Sequence, residues 1–118
     1  MSVLRDAVAV RLSAQRLIML TNPGDETAAA LDETRFEAAV TDAQASFKRH
    51  TGITFDATNA IHIELGINGV LCKLFRYAGS DSDGDGRSYC KRWGEGLAKL
   101  VRVMPRTNAT QVQTADDP

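Results

Sequence analysis

The chain has 118 residues, a formal charge of −1 and a hydrophobic fraction of 43%. That size supports one domain with a modest core, and the near-zero charge gives no global pull toward nucleic acid or an anionic membrane. No apolar run reaches the roughly 20 residues of a membrane-spanning helix, and the opening MSVLRDAVAV, broken by Arg5 and Asp6, lacks a signal peptide's apolar region.

The expected setting is therefore a cytosol, with Cys72 and Cys90 as reduced core residues rather than a disulfide. There is no CxxC, and neither His50 nor His62 stands at metal-ligand spacing from a cysteine.

Ser2 can cap a short helix that carries Leu4, Val8 and Leu12 at helical spacing. Ser13 offers a second cap, followed by Leu17, Ile18 and Leu20. Thr21-Asn22-Pro23-Gly24 stops that helix, because proline cannot continue it and glycine permits the turn. Asp25 to Ala30 reads as an exposed loop.

The next helix has the plainest pattern. Asp32 serves as its N-cap with Leu31 stapling against Phe36, and Thr34 with Glu37 offers a capping box. Phe36, Val40, Ala43, Phe47 and His50 repeat at three and four. Lys48 and Arg49 complement the dipole of its last turn, and Gly52 closes it.

Asn59 to Tyr77, NAIHIELGINGVLCKLFRY, is the longest apolar run. At period two, Ile61, Ile63, Leu65 and Ile67 alternate with His62, Glu64 and Gly66, and Asn68-Gly69 supplies a hairpin turn. At period 3.6, Ile63, Ile67, Val70, Leu71, Leu74 and Ala78 share one face, with Ile61, Leu65, Cys72 and Phe75 beside it. His62, Gly69, Lys73 and Arg76 then form a polar strip. Gly66 and Gly69 count against the helix by about 1 kcal/mol each. Pattern alone slightly favours the hairpin; the flanking helices favour the helix. In the helical case Gly66 and Gly69 could be places where another helix crosses closely.

AGSDSDGDGRS after Tyr77 is a loop by composition. Tyr89, Trp93, Leu97, Leu100 and Met104 form a last helical stripe, and Pro105 stops it. The tail, Arg106 to Pro118, has only Val112 as a large apolar residue and cannot bury enough surface to order itself. The division is a domain over 1–105 and a flexible tail over 106–118.

Asp81, Asp83 and Asp85 copy the start of an EF-hand loop, but Arg92 stands at the twelfth position, where a bidentate carboxylate is needed. A solvated turn is expected there, and no metal site. His62 and Glu64 lack the nucleophile or metal that a general-base pair would serve, and no GxSxG, HExxH or phosphate-cradling loop is present. No catalytic residue and no cofactor is expected. The basic residues of 87–106 outnumber Glu95, and a basic helix can bind a phosphate backbone. The domain as a whole is not basic, so a small helical DNA-binding regulator using 87–104 is the alternative rather than the first reading.

The order of the pieces, with Leu17-Ile18-Met19-Leu20-Thr21-Asn22-Pro23 followed by Ala38-Ala39-Val40-Thr41-Asp42-Ala43, resembles the Mu-like phage head-to-tail connector proteins, among the adaptors of long-tailed phages. The likeness spans roughly residues 2–104. The link HTGITFDATN and the aspartate loop at 80–86 depart from the family pattern.

The resemblance implies an all-α bundle of four to five helices and resolves 59–77 as helix. It implies a structural virion protein at the phage neck, assembled in the host cytoplasm as a ring of about a dozen copies. The portal protein lies on one side of that ring and a neck or tail-terminator protein on the other. Genome DNA would pass through the ring without sequence-specific binding, and no membrane is involved. Within that setting the tail is the expected partner-binding segment. Arg106, Thr107, Asn108, Thr110, Gln111 and Gln113 offer polar groups for pairing along a partner's edge, and Val112 offers an anchor.

Overall fold

The structure is a computed structural model, and it describes residues 2–82 and 84–103. Five helices follow in order: α1 (Val3–Arg11), α2 (Ala14–Thr21), α3 (Glu33–Thr51), α4 (Ala60–Tyr77) and α5 (Gly84–Val103). Among the described residues there is no strand, so the fold is all-α.

The helix starts follow from short polar side chains. Ser2, Ser13 and Asp32 each accept a hydrogen bond from a backbone N–H three residues on. Asn59 accepts from the N–H groups of Ile61 and His62. Each bond satisfies a donor that the first turn would otherwise leave free. Asp32 alone caps α3, and Glu37 pairs with Arg5 at 3.4 Å, so the expected Thr34–Glu37 box does not form.

Two helix ends follow from glycine. Gly52, at φ +74°, donates its N–H to Lys48 O and closes α3. After α4, Gly79 takes φ +74°, with Gly79 N–H on Arg76 O and Ser80 N–H on Phe75 O. That pair of bonds is a Schellman ending, which needs a left-handed residue that glycine adopts without strain.

α4 runs through the middle of the bundle. On one side it buries Ile67, Val70, Leu71 and Leu74 against Leu4 and Val8 of α1, Leu17 of α2 and Phe36 and Val40 of α3. On the other, Leu65 and Cys72 join Phe47 of α3 and Trp93 and Leu97 of α5. The hairpin that the period-two pattern slightly favours is thus not formed. Asn68-Gly69, its turn signal, lies inside the helix and is buried.

The reason is packing. A Cβ on Gly69 would lie 2.7 Å from the Trp93 ring, and one on Gly66 2.9 Å from Phe55 Cε1. The glycines are notches that let neighbours approach, which offsets their poor helix propensity. α5 reciprocates with Gly96, where a Cβ would lie 2.4 Å from Leu65 Cδ1. Gly86 is similarly tight, with a Cβ position 2.2 Å from Ser80 O and 2.9 Å from Phe75 Cδ1. Four contacts therefore set one antiparallel register: Phe75 on Gly86, Cys72 on Cys90, Gly69 on Trp93 and Leu65 on Gly96.

That register corrects the expectation for the cysteines, because Cys72 and Cys90 are joined by a disulfide. A compartment argument says nothing about which cysteines face each other; the helix register does. Three side chains also change sides. His50, expected on the buried stripe of α3, is exposed, while Thr51 is buried. His62, expected on a polar strip, is buried, and Ile61, expected on an apolar face, is 67% exposed. α5 begins at Gly84, so the last part of the presumed aspartate loop is helical.

Candidate functional site

The residues that sequence singles out as chemically able have separate structural duties. His62, in the first turn of α4, lies 4.7 Å from the Phe47 ring and 5.9 Å from the Phe55 ring, centroid to centroid. Its Nδ1 accepts the Asp56 N–H at 2.9 Å and so fixes the connector between α3 and α4. Phe55, which no periodic pattern marks, also stands 5.5 Å from Phe47, edge to face. Two apolar residues, Ile53 and Phe55, are too few in a short connector to establish a period; the TGITFD context gives only an extended link.

Glu64 serves α1 instead. Arg11 donates from both guanidinium arms to its two oxygens, at 2.9 and 3.1 Å. Those hydrogen bonds hold the Glu64 carboxyl below its ordinary value of 4.5; burial works against the shift, and the charges of Arg11 and Arg92 add to it. The same bonds raise the Arg11 guanidinium further. A carboxylate committed in this way holds its proton less readily and is a poor general base.

The aspartates after α4 are directed at cations of the chain itself. Asp81 stands 3.5 Å from Arg76, and Asp85 stands 2.9 Å from Arg16. Asp83 lies outside the described residues. Among the described residues, no group of three or more His, Cys, Asp or Glu side chains is placed to hold a metal ion. With Cys72 and Cys90 bonded to each other, neither offers a thiolate.

The surface offers more. Between α4 and α5 lies an open groove of about 520 Å³. Ala60, Leu65, Gly96 and Leu100 give it an apolar lining, Ile61 stands at its rim, and Arg92 and Lys99 line it from α5. Asn68 also lines it; the residue is 7% exposed, and its Oδ1 is buried without a hydrogen-bond partner. Its Nδ2 donates back to Glu64 O at 3.3 Å.

The exposed side of α5 carries Arg87, Lys91, Arg92 and Lys99. Arg92 stacks 5.6 Å from the Tyr89 ring. The expected partner-binding residues Arg106, Thr107, Asn108, Thr110, Gln111, Val112 and Gln113 lie outside the described residues, as do Met104 and Pro105. Among the described residues no helix is long and apolar enough to cross a membrane.

No family model, no curated protein and no solved structure matches the chain.

Proposed function

We propose that this chain is a head-to-tail connector, an adaptor that forms a ring between the portal and the tail of a long-tailed phage. The observation that carries the reading is the helical identity of 60–77 within a five-helix body. The resemblance requires that helix, and periodicity alone does not supply it. The commitment of His62, Glu64 and both cysteines to structural contacts also suits a protein that works by assembly.

The portal, a tail-side neck or tail-terminator protein and further copies of the chain are its partners in this reading. Genome DNA passes through the ring without base-specific contacts. The disulfide fits a virion part that is made in the host cytoplasm and later exposed to an oxidising medium.

The test is the mass of the species formed when the purified chain is mixed with purified portal protein. A ring of about a dozen copies on the portal is the expected result. A chain that stays monomeric and unbound refutes the reading.

The second reading is a small DNA-binding regulator, favoured by the exposed Arg87, Lys91, Arg92 and Lys99 on one helix. It predicts duplex binding that weakens steeply with salt, as released counterions require. Duplex binding absent at low salt removes it.

A further inference from the structure

One glycine of α5 has no duty in the fold. Gly66, Gly69, Gly86 and Gly96 admit neighbours, but a Cβ on Gly94 would meet nothing within 4 Å. Gly94 is exposed, lies inside the helix and is not among the glycines of positive φ. Glycine is the poorest helix former after proline, and neither packing nor backbone accounts for it here.

What it uncovers is Cys90, four residues earlier. A helical side chain leans toward the N-terminus and covers the turn before its own Cα. A side chain at 94 would therefore lie over Cys90. With glycine there, Cys90 is only half-buried and lines an open recess of about 540 Å³. Cys72, its partner, is fully buried with Phe47, Leu65 and Trp93. The disulfide thus has one approachable end.

The recess is cationic. Lys73 and Arg76 line it from α4, Ser46 and His50 from α3, and no carboxylate lines it among the described residues. Lys73 and Arg76 pair with Asp42 and Asp81, at 3.4 and 3.5 Å, outside that lining. Arg49 donates to Ser46 Oγ at 2.8 Å.

We propose that this recess is a thiol-exchange site, where a small anionic thiol enters over Gly94 and attacks Cys90 Sγ. The incoming thiolate forms a new S–S bond to Cys90. The Cys72–Cys90 bond breaks, and its electron pair leaves on Cys72 Sγ, which takes up a proton. A second thiolate attacks the incoming sulfur, and Cys90 leaves and is protonated in turn. Two small thiols are thereby oxidised to one disulfide, and the protein's bond receives the two electrons. Apolar surroundings make Cys72 a poor leaving group, so exchange is slow but directed to one sulfur.

The test uses the full oxidised chain, with reduction followed by alkylation and mass spectrometry. The probes are 3-mercaptopropionate, 2-mercaptoethanol and 2-mercaptoethylamine. Each rate is divided by that thiol's rate on 2-hydroxyethyl disulfide, which removes intrinsic reactivity. The anionic thiol should then lead the cationic one roughly threefold, and Lys73→Gln with Arg76→Gln should abolish the lead. Gly94→Leu should slow all three roughly tenfold by covering Cys90. Gly94→Ala gives a similar helix gain with one carbon and should slow them less. Exchange through unfolding would instead be slowed as much by the alanine. With 2-hydroxyethyl disulfide as the capping reagent, Cys90 should be capped in Cys72→Ala, and Cys72 should stay uncapped in Cys90→Ala. A wild-type bond untouched by native-state thiol, no charge preference, equal slowing by alanine and leucine, or faster capping of Cys72 overturns the site.

Discussion

Gly69→Ala is the most direct probe of the register between α4 and α5. The added methyl would meet three Trp93 ring atoms at 2.7, 2.7 and 2.9 Å. Trp93 is a rigid ring, 5% exposed, so no flexible side-chain end can yield. One turn away, the Cys72–Cys90 disulfide limits how far the helices can part. Inserting a methyl into such a core costs about 1–3 kcal/mol, and alanine returns about 1 kcal/mol of helix propensity. The net expectation is a loss of about 1 kcal/mol, at the upper end about 2, or roughly 4 °C in Tm per kcal/mol for a chain of this size. Urea unfolding of both proteins, oxidised, gives the difference. In a Trp93→Phe background the smaller ring should remove most of the penalty, so the double-mutant cycle should show coupling. A Gly69→Ala change that costs as much in the Trp93→Phe background as in the wild type, or that stabilises the protein, would refute the argument that this glycine is there for the indole.

Reduction of the disulfide, or Cys72→Ser with Cys90→Ser, should cost about 2–4 kcal/mol in thermal unfolding, since the link closes an 18-residue separation; unchanged Tm under reductant would count against a formed bond. The Arg11–Glu64 pair ties α1 to α4, and because the folded Glu64 carboxyl is held below 4.5, its contribution is complete above that value and fades as pH falls through the lowered one. Glu64 is 58% exposed at its side chain, so solvent screening limits the pair to about 0.2–1 kcal/mol; Glu64→Gln should lose that amount at pH 7 and progressively less as pH falls below 4.5. A chain ending at Pro105 should fold with the same Tm, because the segment removed has only Val112 as a large apolar residue, yet fail to join portal complexes; equal docking affinity would place docking in the helical body.

Much of the fold is legible because single residues carry it. Ser2, Ser13 and Asp32 are caps whose chemistry is local, and Phe36, Val40, Ala43 and Phe47 share one face of α3 at the spacing a helix requires. What is hidden depends on a partner segment. Gly66 and Gly69 carry the same letters whether they turn a hairpin or admit a ring, and the choice lies with Phe55 and Trp93, 11 and 24 residues away. The cysteines are hidden for the same reason: 72 and 90 face each other only once Gly69 sits under Trp93 and Gly86 under Phe75. His62 and Ile61 exchange sides because Phe47 and Phe55 make an aromatic niche at the first turn of α4. Ile61 is left at the rim of the groove by that exchange. The groove is thus a by-product of where the core placed its aromatic residues. That is why no run of letters near Ile61 announces it, and why it must be sought in the contacts α4 makes on its other faces.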